Sequence, residues 1–354
     1  MSPRRTLSPE REELYSKLKA RIGGSPLIKY GGNVPNGNKV FIKPECFREF
    51  NPWQSHYDRV YLELFRYYEE RGKLQVGGGV VESTSGSAGR SCAGVGRLLG
   101  FDVTIIMPAG TENAREEAIR KEGANIIFTP ENDYVVALPA RMKQFLLENP
   151  DVVCLNHMQG PYGTENKIVT KCFAPIAEEI IKDLHLEGLR LDYFVPAIGN
   201  GSTILGPGRI FKSPGSSVKI FGVESFQSGN AHEMRHPGVY KRKFGIDIGS
   251  LPRHRIFGTS FPGIETPHLR IAVREGILDD VCLVSDREVG ANYLRATGRP
   301  VPKEIPRWDD IQVQPFGRST RAAVAAIVHK LALDVHDQNF AVIGYDLANE
   351  HYDS

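Results

Sequence analysis

The feature that most constrains the fold is a regular alternation of apolar strand patterns with helix-length segments. The strand patterns lie at 80–83, 103–107, 125–128, 152–155, 192–198, 218–223 and 340–343. Apolar residues at helical spacing over 57–71 open the series, and another helical segment separates each of the first four strands from the next. This order is typical of βαβ units, so the sequence predicts an α/β fold built on mostly parallel sheets.

Composition narrows the class of protein further. The 354 residues are 41% hydrophobic and 24% charged, which is ordinary for a globular protein with one large or two medium domains. A net charge of +2 predicts no nucleic-acid partner, and the absence of a run of about 18 apolar residues predicts no membrane partner. The polar first residues and five scattered cysteines without a CxxC pair predict a reducing, cytoplasmic location.

A glycine-containing turn follows the strand pattern at 192–198 and precedes a helix. Its members are Gly199, Asn200, Gly201, Ser202 and Thr203. Backbone N–H groups and the positive potential of a helix N-terminus suit an anion, so the turn is a candidate phosphate-binding site. A tight turn without a ligand explains the same residues, because the pattern is neither a Walker loop nor a complete GxGxxG.

A second turn of the same kind follows the strand at 80–83. The candidate carboxylate-binding residues there are Thr84, Ser85, Gly86, Ser87 and Ala88. Small polar residues at a helix N-terminus suit a carboxylate. The turn is not a nucleophile elbow, because residue 85 is serine where GxSxG requires glycine.

The sequence also contains one match to the zinc-protease pattern HExxH, from His232 to His236. Pro237 follows at once, and a residue before proline avoids the helical conformation that would place both histidines on one face. The segment 227–262 is rich in Gly, Pro, His and Arg, which indicates a long surface loop. The sequence therefore predicts a chance match, and no metal site.

The order of these pieces resembles the fold-type II pyridoxal phosphate (PLP) enzymes, the family of cysteine synthase, cystathionine β-synthase and the tryptophan synthase β subunit. The segment Asn51-Pro52-Trp53-Gln54-Ser55-His56-Tyr57-Asp58-Arg59 resembles the family's Asn-Pro-x-Gly-Ser-x-Lys-Asp-Arg. Ser25-Pro26-Leu27 resembles its opening motif, 84–89 its substrate-carboxylate loop and 199–203 its phosphate-binding turn. The resemblance covers nearly the whole chain.

The resemblance implies a particular architecture. It predicts two open three-layer αβα domains with mostly parallel sheets and an active-site cleft between them, as in the tryptophan synthase β-like fold. The implied small domain is 51–158, and the implied large domain combines 1–50 with 159–354. The resemblance also implies a homodimer and a small, amino-acid-like substrate. Trp53, Gln54, His56 and Leu347 are the implied cleft-lining residues.

The departures from the family pattern are concentrated at the positions that bind PLP or substrate in that family. Tyr57 stands in place of the lysine that binds PLP as an imine, Gln54 in place of a glycine, and Ser87 in place of an asparagine. Leu347 replaces the serine near the pyridine nitrogen, and His157 replaces a glutamine that contacts substrate. Tyrosine cannot form an imine, and its unperturbed pKa of about 10 makes it a weak base.

Three hypotheses follow from this pattern. The first is an atypical enzyme of lyase or transferase ancestry, acting on an amino acid or related carboxylate without a lysine-bound PLP. Tyr57 and His157 would be its catalytic acid/base pair, and it would bind PLP non-covalently or another anionic ligand. The second is a conventional PLP enzyme that uses Lys43 or Lys167. The third is a catalytically inactive relative that binds a protein partner in its cleft.

Overall fold

The computed structural model describes residues 4–158, 164–252, 254–256, 258–259 and 266–349. Parts of the predicted domain ranges and of the predicted 227–262 loop lie outside these residues. Within them the strands are β1 Ile28–Lys29, β2 Lys39–Pro44, β3 Gly79–Ser83, β4 Asp102–Pro108, β5 Asn125–Thr129, β6 Val153–Cys154, β7 Tyr193–Phe194, β8 Lys219–Ser225, β9 Asp280–Val284 and β10 Asn339–Gly344.

The helices follow the same order. They are α1 Pro9–Lys19, α2 Asp58–Glu69, α3 Ser87–Leu98, α4 Asn113–Lys121, α5 Leu138–Glu148, α6 Thr164–Leu186, α7 Ser202–Phe211, α8 Asn230–Arg235, α9 Val239–Phe244, α10 Pro267–Arg274, α11 Arg287–Thr297 and α12 Arg318–Val328. Short 3₁₀ turns occupy Pro35–Gly37, Glu131–Ala137 and Leu331–Leu333. Among the described residues, no helix combines the length and apolar character that a membrane span requires.

The chain divides into two compact units. The first comprises 1–24, 45–172 and 349–354, and the second comprises 25–44 and 173–348. The predicted small domain, 51–158, lies inside the first unit, which also includes residues 1–24 that were assigned by prediction to the large domain. The exact domain bounds stay a prediction.

The first unit contains a four-stranded parallel sheet in the order β5-β4-β3-β6. Its central strands carry the continuous apolar runs expected of a strand buried on both faces, and Val80, Val81, Ile105 and Ile106 are fully buried. Strand β6 follows β5 in sequence but pairs with β3 on the opposite side of the sheet. This crossover brings the residues after β6 next to the end of β3.

The second unit contains a six-stranded sheet in the order β1-β2-β10-β7-β8-β9. Only the β1–β2 pair is antiparallel among the described strand pairings. The alternation of strands and helices read from the sequence therefore produced two α/β units with mostly parallel sheets, and the predicted fold class is confirmed.

The prediction of a surface loop at 227–262 is wrong for its first part. Helices α8 and α9 form there, and the segment contributes to a buried cluster of the second unit. The cluster comprises Phe226, Tyr240, Phe244, Ile246, Leu251, Leu283, Val289, Tyr293 and Ile305. The many Gly and His residues outweighed two aromatic residues at helical spacing, Tyr240 and Phe244, in the sequence prediction. Both are buried because they pack against α11 and β9.

Candidate active site

The segment 51–59 is held in place by a buried ion pair. Two guanidinium nitrogens of Arg59, Nε and Nη2, each donate a hydrogen bond of 2.8 Å to the Glu45 carboxylate. Asn51 Nδ2 donates to the Glu45 carbonyl at 3.0 Å. The Trp53 backbone N–H donates to Asp58 Oδ2 at 2.9 Å, so the segment closes into a fixed turn immediately before α2.

Tyr57 is the residue that immediately precedes α2, and it faces a histidine. Its ring centroid lies 5.0 Å from that of His157 in an edge-to-face arrangement. Tyr61 follows one helical turn later, on the same face of α2, and its ring lies 5.7 Å from His157. The two predicted catalytic residues, Tyr57 and His157, are therefore neighbours within the first unit.

His157 owes its position to the pairing of β6 with β3. After β6 the chain turns through Asn156, which has a φ of +55°. The turn directs the backbone N–H of His157 to Glu82 Oε2 at 3.1 Å. The ring Nδ1 lies 3.0 Å from the same oxygen, and Glu82 and His157 are both buried.

Two titratable neighbours of Tyr57 have strongly displaced pKa values. Burial, reinforced by the charges of Arg59 and His157, lowers the pKa of His56 to about 3. Burial raises the pKa of Asp58 to about 7, against the opposing effect of hydrogen bonds from Ser91 and Trp53. Near neutral pH, His56 is therefore an uncharged aromatic neighbour of Tyr57, with ring centroids 4.2 Å apart.

Gln54 and Trp53, two predicted lining residues, are buried in the first unit. Gln54 has a φ of +57°, the left-handed conformation that favours glycine, which the family pattern has at this position. Its amide oxygen accepts hydrogen bonds from Arg48, at 3.1 Å, and from Arg90. Trp53 packs on α3, where a side chain at Gly94 would overlap the indole. The lining role of these residues stays a prediction.

The turn after β3 holds the predicted carboxylate-binding residues at the start of α3. Thr84 Oγ1 accepts a hydrogen bond from the Gly86 N–H at 3.1 Å, which fixes the turn. Arg115, buried on α4, lies against Gly86, and a Cβ at residue 86 would be 3.2 Å from its Cδ and would overlap its guanidinium. The turn thus combines a helix N-terminus with an adjacent cationic side chain.

The turn after β7 has the geometry expected of an anion site at the start of α7. Gly201 has a φ of +88°, and the Ser202 N–H donates to Asn200 Oδ1 at 2.9 Å. Leu269 N–H donates to the Asn200 carbonyl at 3.2 Å, which ties the turn to α10. Backbone N–H groups and the helix dipole therefore supply its positive potential.

The residues after β10 adjoin this second turn in the same unit. The hydroxyl groups of Tyr345 and Thr203 are 3.4 Å apart, and Tyr345 also donates to the Ala197 carbonyl at 3.3 Å. Leu347 forms an isolated bridge with Phe316 and is half-buried. Its lining role stays a prediction.

The HExxH match does not form one helical face. Helix α8 ends at Arg235, and His236 has a φ of −131°, outside the helix. His236 Nε2 lies 2.6 Å from Asp280 Oδ1, and Glu233 accepts from the Gly238 N–H. In the described part of the chain, no three His, Cys, Asp or Glu side chains are arranged to hold a metal ion.

Several residues around these sites were not identified from the sequence. They are Glu82, Tyr61, Arg115 and Tyr345. Tyr61 had a readable signal, because it lies four residues after Tyr57 in a predicted helix. The others are remote in sequence from the residues that they contact, so no local spacing points to them.

The chain matches the pyridoxal-phosphate dependent enzyme family over residues 18–296. This match spans most of the chain, and the protein therefore belongs to that family. The class is consistent with the two α/β units and with the two helix N-termini that follow their parallel strands.

The individual relatives are cysteine-forming and related enzymes. The chain is 26% identical to cysteine synthase B of Escherichia coli (strain K12) over 294 residues, which cover 79% of this chain and 87% of that protein. A hydrogen sulfide-producing enzyme from Fusobacterium nucleatum superposes with a TM-score of 0.72 at 21% identity, covering 94% of this chain and 98% of that one.

A further solved structure is similar to the same extent. It is the O-acetylserine dependent cystathionine beta-synthase from Helicobacter pylori, with a TM-score of 0.71 and 22% identity over 94% of this chain and 95% of that one. At these identities the two structural similarities demonstrate the fold alone.

The residues of the chain fit one part of PLP better than another. The turn at 199–203 places a left-handed glycine at the N-terminus of α7, a type of position that can accept a phosphate group. Lys43, by contrast, is fully buried, lies 2.8 Å from the Glu179 carboxylate and donates to the Ser25 carbonyl. A lysine that forms an imine with PLP must be accessible to it, and the complete burial of Lys43 opposes that condition.

Proposed function

We propose that this protein is an atypical cysteine synthase-like enzyme of amino-acid metabolism that acts on an amino acid or a related carboxylate. In this proposal Tyr57 occupies the position of the family's lysine, so the enzyme works without a lysine-bound PLP. It binds PLP non-covalently or takes another anionic ligand, and it functions as a cytoplasmic homodimer of the predicted small and large domains.

The observation that carries the proposal is the pairing of Tyr57 with His157. Two titratable side chains replace the family's lysine and glutamine, and their rings meet edge to face at 5.0 Å. His157 is also bonded to a buried carboxylate, Glu82. A tyrosine ring, a histidine and a buried carboxylate therefore lie together at the position where the family pattern has its lysine.

The two turns supply the binding groups of the proposal. The residues at 84–88 would bind the substrate carboxylate, with Arg115 adding positive charge beside Gly86. The residues at 199–203 would bind a phosphate or another anion through backbone N–H groups. Neither set of contacts would require a covalent link to the chain.

The proposed chemistry is proton transfer by this chain's own groups. His157 would accept a proton from the bound substrate, and the Tyr57 hydroxyl would donate a proton to the leaving or developing oxygen or nitrogen. A lysine-bound form of PLP does not fit the residues at 57 and 43, so no step is assigned to that cofactor.

The first test is an absorption spectrum of the purified protein with and without PLP, followed by borohydride reduction and a peptide map. We expect saturable binding of PLP or a phosphate ester, with no lysine modified by reduction. A reduced imine on Lys43 or Lys167 would replace the proposal with conventional PLP chemistry. Absence of all anion binding would favour the partner-binding alternative.

The second test removes the two catalytic groups, using turnover of amino acids that carry a leaving group on the β carbon. We expect Tyr57→Phe and His157→Ala each to lower kcat by about 100-fold, a typical effect of losing a general acid or base. Tyr67→Phe on the same helix and His185→Ala on an exposed surface are matched controls. Unchanged turnover in both variants would reject the assigned roles.

A further inference from the structure

Glu82 is a buried carboxylate for which the proposed reaction has no direct use. It lies at the end of β3 with 1% of its surface exposed. Its Oε1 accepts from the Ser83 N–H at 2.8 Å, and its Oε2 accepts from the His157 N–H at 3.1 Å. A buried charge without partners is costly, and these two backbone donors offset part of the cost of burying the Glu82 carboxylate.

The third contact of this carboxylate determines the protonation state of a ring nitrogen. His157 Nδ1 lies 3.0 Å from Glu82 Oε2 and 3.0 Å from the Tyr61 hydroxyl. If Nδ1 carried a lone pair, that lone pair would face the negative oxygen inside a buried site, which is strongly repulsive. A proton on Nδ1 converts the repulsion into a charge-assisted hydrogen bond.

Tyr61 is compatible with that arrangement. Burial and the negative charge of Glu82 raise its pKa well above the ordinary value, so its hydroxyl remains protonated. The hydroxyl oxygen lies 3.0 Å from Nδ1 and can accept a hydrogen bond from the Nδ1–H, so this contact does not require a lone pair on Nδ1. The neutral imidazole therefore has Nε2 as its basic nitrogen.

We infer that Glu82 is a positioning residue that keeps the Nδ1 proton of His157 in place and makes Nε2 the proton-accepting atom. This inference rests on the proposed function, in which His157 is the base. When Nε2 takes a proton from the substrate, the ring becomes an imidazolium ion with one positive charge. The Glu82 carboxylate balances that charge, and the proton later leaves from Nε2, which restores the neutral ring.

Several elements bring titratable groups to this pair. Among the described residues, His56, Tyr57 and Tyr61 belong to α2 or to the turn before it, Glu82 is the last but one residue of β3, and Cys154 lies on β6. Cys92 on α3 is close enough that the charge of Glu82 contributes, after burial, to raising the pKa of that thiol. Tyr61 and Cys92, whose pKa values are raised well above the ordinary values, are neutral near pH 7, so Glu82 is the anion that the described contacts place beside the ring.

The test is nitrogen NMR of the ring of His157 in the full-length protein labelled at histidine, with His157→Ala used to assign the signals. We expect the neutral ring of the wild type to carry its proton on Nδ1. Glu82→Gln removes the negative charge that faces Nδ1 and should raise the fraction of the Nε2–H form. Glu82→Asp keeps the charge, so it should retain the Nδ1–H form and more of kcat than Glu82→Gln.

The controls separate this role from a general effect on folding. Glu117→Gln makes the same chemical change on an exposed face of α4 and should leave the His157 signals unchanged. Tyr61→Phe keeps the carboxylate and should preserve the Nδ1–H form even if Glu82→Gln fails to fold. A neutral wild-type ring protonated on Nε2, or an unchanged share of the two ring tautomers in Glu82→Gln, would overturn the inference.

The NMR readout needs no substrate, so the two proposals fail in different ways. If Tyr57→Phe and His157→Ala leave turnover unchanged while the ring carries its proton on Nδ1 as expected, the proposed function fails and the Glu82–His157 pairing remains. If turnover depends on His157 but Glu82→Gln leaves the ring tautomer unchanged, only the positioning role of Glu82 fails.

Discussion

The two turns that are predicted to bind anions are fixed by different means. The turn at 84–88 is fixed by a hydrogen bond that the Gly86 N–H donates to the Thr84 hydroxyl, and it adjoins the guanidinium of Arg115. The turn at 199–203 depends on a left-handed glycine, Gly201, and is tied through its backbone to Leu269. The first turn therefore adds a formal charge to the helix dipole, while the second relies on backbone groups packed against other backbone.

This difference predicts which changes each turn tolerates. A Cβ at Gly86 would meet the side chain of Arg115, which can change its conformation. A Cβ at Gly201 would meet the backbone of Leu269, which cannot move without disturbing α10. The second turn should thus be sensitive to any added atom. The first should be sensitive to the loss of charge.

The largest expected effect is at Gly201. Gly201→Ala would place a Cβ 2.6 Å from Leu269 Cα in a residue with a φ of +88°, so we expect a loss of about 3 kcal/mol in unfolding free energy. Gly86→Ala meets the Arg115 side chain and should lose less than about 1 kcal/mol. Urea denaturation measures both variants.

Gly215→Ala separates conformational strain from overlap in this comparison. Gly215 has a φ of +85° with nothing within 4 Å of its would-be Cβ, so only the strain of about 1 kcal/mol remains. If Gly201→Ala is no more destabilised than this control, overlap with the Leu269 backbone is not the reason that residue 201 requires glycine.

The next effect tests the charge at the first turn. Arg115→Lys keeps a cation but loses the planar fork, so we expect about tenfold weaker binding of an amino-acid carboxylate. Phosphate binding to the second turn should not change. Calorimetric titration of both ligands measures the two effects, with Arg120→Lys on the exposed side of α4 as the matched control. Equal losses for both ligands would remove the distinction between the turns.

The stability of the first unit should depend on pH through two groups, His56 and Asp58, whose effects have opposite signs. The folded pKa of His56, about 3, lies below its unfolded value, so its contribution to stability rises with pH up to about 6.5. The folded pKa of Asp58, about 7, lies above its unfolded value, so its contribution falls between about pH 4 and 7. The two slopes offset each other over most of that window.

Single variants should expose each slope. In His56→Gln stability should fall with rising pH, and in Asp58→Asn it should rise with pH, each by about 1 kcal/mol per pH unit. Unfolding free energies at about pH 4.5 and about pH 6.5 measure the slopes, and exposed His185→Gln is the control. Slopes of the opposite sign would mean that burial does not displace these pKa values.

The smallest expected effect is the stability lost when a threonine of either turn, Thr84 or Thr203, is replaced by valine. Thr84→Val removes the acceptor of the Gly86 N–H and should cost about 1 kcal/mol of stability. Thr203→Val removes a weaker contact, 3.4 Å from the Tyr345 hydroxyl, and should cost less than about 0.5 kcal/mol. Thermal unfolding of the pair gives the ranking. The reverse order would show that the second turn also depends on a side-chain bond.

Much of the fold was predictable because its signals are local. The helix over 57–71 and the strands at 80–83 and 103–107 follow from apolar spacing, and the structure has α2, β3 and β4 there. Helices α8 and α9 were missed because Gly and Pro residues at their ends outweighed the buried Tyr240 and Phe244 between them.

The sequence by itself determined the strand–helix order, the two turns and the family, because each depends on residues close together in the chain or on a pattern spread along it. Only the tertiary structure decided that Glu82 and His157, 75 residues apart, form a pair. The reason is the strand order of the first sheet, in which β6 crosses over to pair with β3. No local pattern encodes that crossover, since it follows from burying both faces of the whole sheet.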